Sequence, residues 1–576
     1  MTATGKSTAR VAQDGGRKNH LGSGSSRRDF VRQLGRAAAA TVAMSAVGIE
    51  TEAQTGGRPR ARADFRFRRS SAFERAQESY RNRVQAAEAE RELPIPPHPA
   101  NNDERLFESK IGNYSKGLPH NSIGEVEPAA YFAFLRAVQS GDPNHWDAIP
   151  LGGTTPLTNP QAGVAFDLQG TDSHQLAIPP APPVASAHRA GEMVEDYWMA
   201  LLRDIPFTAY ESNPLVQAAC AEMSRLSDFR GPKVGGRVTP RTLFRGFTRG
   251  DLAGPYVSQF FLKPIHFGAL PITQQYQTYV AGIDYMTDQS SWLAAQNGQG
   301  PFPTPQVDFQ VRYLRNVRDL AAWVHIDVLY QAYFNAALYL LGNGATPNPG
   351  NPYIESRNQV GFGTFGPPHI ASVLAEVATR ALKAVWFQKW FVHRNLRPEA
   401  FAGLVHMNNT GQARYPLHSE VLRSEAANRV FVKTGSWFLP MAFPEGSPTH
   451  PSYGAGHATV AGACVTILKA FFNDTEHLVD IGDGQIVQPS EDGLALLPYT
   501  GADAGQLTVW GELNKIAANV GIGRNMAGVH WRVDYQDSLL LGEAVAISIL
   551  RDQAPCYNED FQGFTFHKFD GTQVTV

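Results

Sequence analysis

The sequence predicts an all-α protein of long packed helices that form bundles, joined by long loops and with at most short strands. Apolar residues make up 43% of the 576 residues, enough for a large core, and charged residues make up 18%, which excludes wholesale disorder. Apolar side chains recur in several long segments with a period close to 3.6, the period of one helix face. Segments rich in glycine, proline and threonine separate them.

The helices follow from this spacing in chain order. The region 313–341 has apolar residues at helical spacing from Leu314 to Leu329, and the region 457–472 is rich in alanine and small apolar residues, which indicates a buried helix. Residues 145–185 are expected to be loop, and the loop-rich region 263–312 is expected to form part of a lid or funnel. The predicted helices cover residues 72–91, 191–204, 213–226, 313–341, 368–390, 457–472, 508–520 and 532–550.

Charge and cysteine content exclude several classes of protein. Residues 1–70 contain 14 Lys and Arg against 5 Asp and Glu, whereas the remaining 506 residues contain 37 and 48. An acidic body argues against sequence-independent nucleic-acid binding. Three cysteines exclude a disulfide scaffold and a cysteine-rich zinc module. No run of 18 uncharged apolar residues is present, so no membrane span is predicted.

The basic tail has the parts of a bacterial export signal. Residues 26–32, SRRDFVR, match the twin-arginine pattern, and a weakly apolar run follows at 37–49. We therefore expect an export signal over 1–55, a basic flexible arm and N-terminal extension over 56–110, and a helical body over 111–576 with its functional site within 380–540. The protein would then be periplasmic or secreted. The plainer alternative is a disordered arginine-rich tail.

Three segments of the body carry residues suited to chemistry. In the first, Lys389 and Arg397 flank the end of a predicted helix, because Pro398 disfavours helix before it. Basic residues there are ordinarily dipole partners or solvated charges. In the second, 450–457, Gly454 and Gly456 precede a helix, so backbone N–H groups can approach an anion, although such turns are common without a ligand.

The third segment is 523–534. His530 and Asp534 are four residues apart and would share one face of a helix, where the carboxylate fixes the tautomer of the imidazole. In isolation a surface His–Asp pair is the simpler interpretation. The three segments together change this assessment, because buried cations without an anion are costly. The cations Lys389, Arg397 and Arg524, with a glycine-rich helix start, His457 and His530, predict a cage for a phosphate-like oxyanion.

These three segments, in this order, resemble the shared site of vanadium-dependent haloperoxidases and the type 2 phosphatidic-acid-phosphatase family. The similarity extends over roughly residues 110–576 and is greatest to the red-algal bromoperoxidase branch. The stretches that carry it are 116–120, 318–325, 439–443, 461–472 and 523–530.

The resemblance implies a vanadate cofactor with His530 Nε2 as its protein ligand. It implies that Lys389, Arg397, Arg524 and the Gly456 N–H bind the vanadate oxygens. It also implies that His457 moves protons while hydrogen peroxide binds, and that Lys389 polarises the peroxide. Bromide or iodide would then be oxidised, and the product would halogenate an organic acceptor. The relatives are large homo-oligomers, so an oligomer is expected.

Two positions adjust this expectation. At the position of His450, the algal bromoperoxidases that this chain resembles also have histidine, whereas fungal chloroperoxidases have phenylalanine. With Trp386 one helical turn before Lys389, His450 predicts bromide and iodide oxidation with poor use of chloride. A plain supporting role for His450 is the alternative. Ala455 departs from the family pattern, which has serine bonded to an oxyanion oxygen, so weaker vanadate binding is expected.

Two other functions remain open from the sequence. One is an exported acid phosphatase in which His530 is the nucleophile and Asp534 orients it, since phosphate and vanadate are both tetrahedral oxyanions. The other is a non-catalytic anion-binding oligomer in which Ala455 marks loss of function. The long similarity of the body favours the peroxidase. The organic acceptor, the oligomer size and a calcium site near 353–359 are not decided by the sequence.

Overall fold

The computed structural model describes residues 72–576 as a helical protein with three short hairpins. The proposed export signal and the first part of the basic arm lie outside the described residues. The helices are α1 Ala72–Glu92, α2 Asp103–Leu106, α3 Pro128–Ser140, α4 Pro143–Asp147, α5 Ala187–Leu201, α6 Pro214–Arg225, α7 Gln289–Gln296, α8 Val317–Ile326, α9 Gln331–Gly342, α10 Pro367–Phe387, α11 Pro398–Asn409, α12 Ser419–Leu422, α13 Glu425–Thr434, α14 Gly456–Phe471, α15 Val509–Met526 and α16 Arg532–Gln553.

Each hairpin is a pair of three-residue antiparallel strands. β1 Ile265–Phe267 pairs with β2 Leu270–Ile272, β3 Val487–Pro489 with β4 Leu496–Pro498, and β5 Thr565–His567 with β6 Gln573–Thr575. The all-α prediction with at most short strands is therefore confirmed. In the described part of the chain, no helix is long and apolar enough to cross a membrane.

The centre of the protein is α14, which packs against α10, α15 and α16. Every residue of α14 except His457 is buried, as its small-residue composition predicts. Gly462 and Gly542 let α14 and α16 touch through their backbones. A Cβ on Gly462 would lie 2.2 Å from the Leu539 carbonyl oxygen, and one on Gly542 would lie 2.0 Å from that of Thr459. No side chain fits at either position.

Two predictions about helix continuity are wrong. The segment 313–341 is two helices, α8 and α9, because Asp327 has extended backbone (φ −63°, ψ 150°) and ends α8. The apolar period continues across the break, so spacing alone did not reveal it. Residues 388–390, predicted as the end of a long α-helix, lie instead in a π-helical turn, Gln388–His393. Pro398 is the first residue of α11. Proline at the first helical position needs no N–H partner.

Several other boundaries differ from the predictions. The helix expected at 191–204 is α5, which begins four residues earlier, where the Ser186 hydroxyl caps it. The helix expected at 508–520 is α15, which continues to Met526. The region 145–185 is loop with 3-10 turns, as expected, whereas 263–312 contains β1, β2 and α7. The spacing did not predict α3, α7, α11 or α13.

A buried anion-binding cradle at the start of α14

Three cations from separate elements meet beside the first turn of α14. Lys389 lies in the π-helical turn, and its Nζ donates to the carbonyl oxygens of Pro451 (2.8 Å) and Ser452 (2.7 Å). Arg524 lies in the last turn of α15, and its Nη1 donates to the Val324 carbonyl (2.7 Å). The Nε of Arg524 is buried and has no hydrogen-bond partner in the described residues.

Arg397, the residue before α11, is the most connected of the three cations. Its Nη1 donates to the Val529 carbonyl (2.6 Å) and lies 2.9 Å from His530 Nε2. Its Nη2 lies 2.9 Å from His450 Nδ1, and its Nε donates to the His450 carbonyl (3.1 Å). Arg397 therefore links the segment before α14 to the segment before α16.

The first turn of α14 presents its backbone N–H groups in this cradle. Ala455 precedes the helix, is fully buried and provides no side-chain cap. Its own N–H donates to the Ser538 hydroxyl (2.7 Å). A Cβ on Gly456 would lie 3.1 Å from the Trp386 ring, so the helix start is closely packed. A buried helix N-terminus without a cap carries unsatisfied donors and a partial positive charge, which an anion satisfies.

His530 and Asp534 form the predicted pair, although by a different geometry. His530 lies before α16 rather than on it, and its Nδ1 is 2.7 Å from Asp534 Oδ2 in the first turn of the helix. The Ser452 hydroxyl and the Trp531 N–H also donate to this oxygen. With Nδ1–H donating to Asp534, the lone pair of His530 is on Nε2, the atom that faces Arg397.

His457 has a partner that the sequence did not reveal. Its Nε2 lies 3.0 Å from Oδ1 of Asp327, the residue that ends α8. The prediction of one helix over 313–341 did not single out Asp327. The helix ends after Ile326, and this break brings the Asp327 carboxylate to the site.

His450 and Trp386 lie close together, with ring centroids 4.7 Å apart, and Lys389 Nζ is 5.7 Å from the Trp386 ring. The structure thus brings together all ten residues selected from the sequence.

The charges of the cradle are unbalanced. Burial and the neighbouring cation Arg397 lower the pKa of Lys389 well below its usual range. Burial lowers the pKa of Arg397 to about 10, and Arg524 contributes in the same direction. Burial lowers the pKa of Arg524 to about 10, although Asp327 and Glu445 act against this. Burial and the same cations also lower the pKa values of His450 and His530 well below their usual range, which favours the neutral form of both rings.

This donor set fits a tetrahedral oxyanion such as vanadate. Among residues 72–576, the three cations donate to backbone carbonyls and form no ion pair with a carboxylate, and Arg524 Nε lacks a partner. The uncapped helix start adds N–H donors. An anion at this place would balance the cations and satisfy those donors. The lone pair on His530 Nε2 suits a metal ligand. Fold and site therefore define a helical-bundle protein with a buried oxyanion site.

Comparisons with known proteins identify the family within this class. Residues 373–558 match the family model described as the VCPO second helical-bundle domain. The chain is 38% identical to a vanadium-dependent bromoperoxidase of Corallina pilulifera, over 87% of this chain and 98% of the relative. It is 34% identical to one of Ascophyllum nodosum, over 87% and 92%.

A solved structure supports the same assignment. It is the homohexameric second vanadate-dependent bromoperoxidase of Ascophyllum nodosum, with a TM-score of 0.82 and 32% identity over 92% of this chain and 94% of that one. The chain belongs to the vanadium-dependent haloperoxidase family, and its relatives named above are bromoperoxidases.

Proposed function

We propose that this protein is a vanadate-dependent peroxidase that oxidises bromide and iodide with hydrogen peroxide. The net reaction is H₂O₂ + Br⁻ + H⁺ → HOBr + H₂O, and the hypobromous acid then halogenates an organic acceptor. The observation that carries the proposal is the cradle of three buried cations without a carboxylate partner, next to a neutral imidazole, in a chain whose relatives are bromoperoxidases.

Each residue of the cradle has a task that follows from its contacts. Lys389, Arg397, Arg524 and the Gly456 N–H would hold the vanadate oxygens, and His530 Nε2 would bind the metal. Asp534 holds the Nδ1 proton of His530, which keeps the Nε2 lone pair available. When bound, vanadate would supply a Lewis-acid centre for hydrogen peroxide.

His457 is the group suited to proton movement. Its ring is partly exposed and is oriented by Asp327, so it can exchange protons with solvent, whereas His450 and His530 are buried and held neutral. The reaction consumes one proton per turnover. Because His457 Nε2 faces the Asp327 carboxylate, we place the delivery of this proton at Nδ1, the other ring nitrogen. His450 and Trp386 would shape the halide pocket and disfavour chloride.

The test is a peroxide- and bromide-dependent bromination assay on the purified protein before and after addition of orthovanadate. Activity that requires vanadate and is lost in His530→Ala supports the proposal. Hydrolysis of a phosphate monoester without bromination would instead assign the phosphatase, with His530 as nucleophile. A chloride rate equal to the bromide rate would overturn the proposed halide preference.

We also propose a homo-oligomer and export by the twin-arginine route. The homohexameric relative supports the first, and the SRRDFVR sequence at 26–32 supports the second. Size-exclusion chromatography with light scattering tests the assembly. Replacement of Arg27 and Arg28 by lysine should leave the protein in the cytoplasm if the signal is used.

A further inference from the structure

A third histidine–carboxylate pair, after His530–Asp534 and His457–Asp327, lies beside the cradle and outside the oxyanion site. His325 Nε2 is 2.6 Å from Glu445 Oε1, and the Tyr279 hydroxyl bonds the other ring nitrogen. The His325 ring is stacked on Phe443, with centroids 3.7 Å apart and planes within 10°. The side chains of His325 and Glu445 are 19% and 34% exposed, so the pair borders solvent.

His325 belongs to the end of α8, and this end contacts the cradle twice. The carbonyl of Val324 accepts the hydrogen bond from Arg524 Nη1, and Asp327 holds His457. His325 lies between these two contacts, and side chains from outside the helix hold it in place. Its hold on Glu445 and Tyr279 therefore restrains the stretch of backbone on which Arg524 and His457 both depend.

The pair is itself anchored. The Glu445 carbonyl accepts from Lys116 Nζ (2.7 Å), and Lys116 forms a buried ion pair with Glu399 (2.6 Å). Burial acts to raise the pKa of Glu445, but the hydrogen bond and charge of His325 outweigh it and the net shift is downward, so the carboxylate stays ionised. The guanidinium of Arg524 lies 5.8 Å from the centroid of the Phe443 ring, on which His325 is stacked.

We propose that His325, held by Glu445 and Tyr279, is a positioning residue that fixes the end of α8 and thereby sets Arg524 and His457 in the cradle. This inference rests on the proposed function for its effect on turnover. Its effect on anion binding is independent of turnover, because Arg524 is part of the cradle whichever reaction occurs there.

The first measurement is the affinity of the vanadate-free protein for orthovanadate, by equilibrium dialysis without peroxide or halide. Inorganic phosphate is measured in parallel as a second tetrahedral oxyanion. We expect His325→Ala to raise the dissociation constant about tenfold and Glu445→Gln to raise it by a smaller factor. The matched control is His567→Ala on β5, which removes a histidine that is as exposed as His325 and is also paired with a carboxylate, Asp474; it should leave the constant unchanged.

The second measurement is the pH profile of bromide oxidation at saturating vanadate. Burial acts to raise the pKa of Asp327, and the charge and hydrogen bond of His457 outweigh it and lower the pKa. When the end of α8 moves, this pairing weakens and the pKa of Asp327 rises. The acidic limb of the profile should then move to higher pH in His325→Ala, and it should not move in the control.

Equal affinity of folded His325→Ala and wild type for both anions would overturn the proposal. If His325→Ala does not fold, Tyr279→Phe removes one hydrogen bond from the same ring and should raise the dissociation constant two- to threefold; no change would overturn the proposal in that case. A wild-type protein that binds vanadate without brominating would contradict the proposed function and leave the binding comparison valid.

Discussion

Buried cations in this protein are treated in two opposite ways on the two sides of His530. Behind it, Arg532 of α16 is paired with Glu195 of α5 (Nε to Oε2, 2.8 Å), and Arg189 is paired with Glu192 within α5 (2.8 Å). In front of it, Lys389, Arg397 and Arg524 donate to backbone carbonyls, and Arg397 also contacts His450 and His530. The rear cations serve the fold, and the front cations are left for a ligand.

The largest expected effect is on the rear side. Arg532→Met leaves the carboxyl group of Glu195 buried without its partner, which should lower the free energy of unfolding by about 3–5 kcal/mol. Urea denaturation at pH 7 measures this. The double variant Arg532→Met with Glu195→Met should recover most of the loss. A single variant as stable as wild type would mean that the two sides do not differ.

The corresponding substitution of a front cation should leave the free energy of unfolding of the anion-free protein unchanged or raise it. Lys389→Met removes a cation that burial and Arg397 already disfavour, so the anion-free protein should unfold at equal or higher urea concentration. Vanadate affinity should fall by about a hundredfold, because a hydrogen bond to a charged group contributes about 1.5–3 kcal/mol. Marked destabilisation of the anion-free variant would show that Lys389 supports the fold.

A smaller effect is expected where the cradle lacks a donor. Ala455→Ser places a hydroxyl at the residue before α14, and vanadate should bind about tenfold more tightly. Ala461→Ser, within the same buried helix and away from its start, is the control and should leave vanadate affinity unchanged. An unchanged titration midpoint in Ala455→Ser would show that the hydroxyl is dispensable.

The smallest effect concerns a buried cation that serves neither purpose. Lys469 lies in the last turn of α14, over the Phe569 ring (4.1 Å), and its Nζ has no hydrogen-bond partner in the described part of the chain. Burial lowers its pKa from 10.5 to about 8, so the unfolded chain binds more protons between these values and stability rises with pH there. Lys469→Met should stabilise the protein by about 1–2 kcal/mol at pH 7 and by less at pH 10. An equal gain at both pH values would contradict this.

The sequence predicted the fold class and the members of the cradle because both depend on local patterns. Small apolar residues at helical spacing specified α14, and charged or glycine residues in three short segments specified the site. It did not predict Asp327, Ser452 or the His325–Glu445 pair. These depend on where α8 ends and on contacts between distant segments, and apolar periodicity is unchanged across that break.

Gly462 and Gly542 have a consequence for how this enzyme can diversify. Because α14 and α16 meet backbone to backbone, the separation between Gly456 and His530 is set by peptide groups and not by side chains that could be exchanged. Substitutions along this contact between α14 and α16 therefore cannot widen or narrow the anion site in small steps. Changes in halide range or acceptor choice must arise in the side chains around the site, such as His450 before α14 and Trp386 on α10, while the contact between the two helices stays as it is.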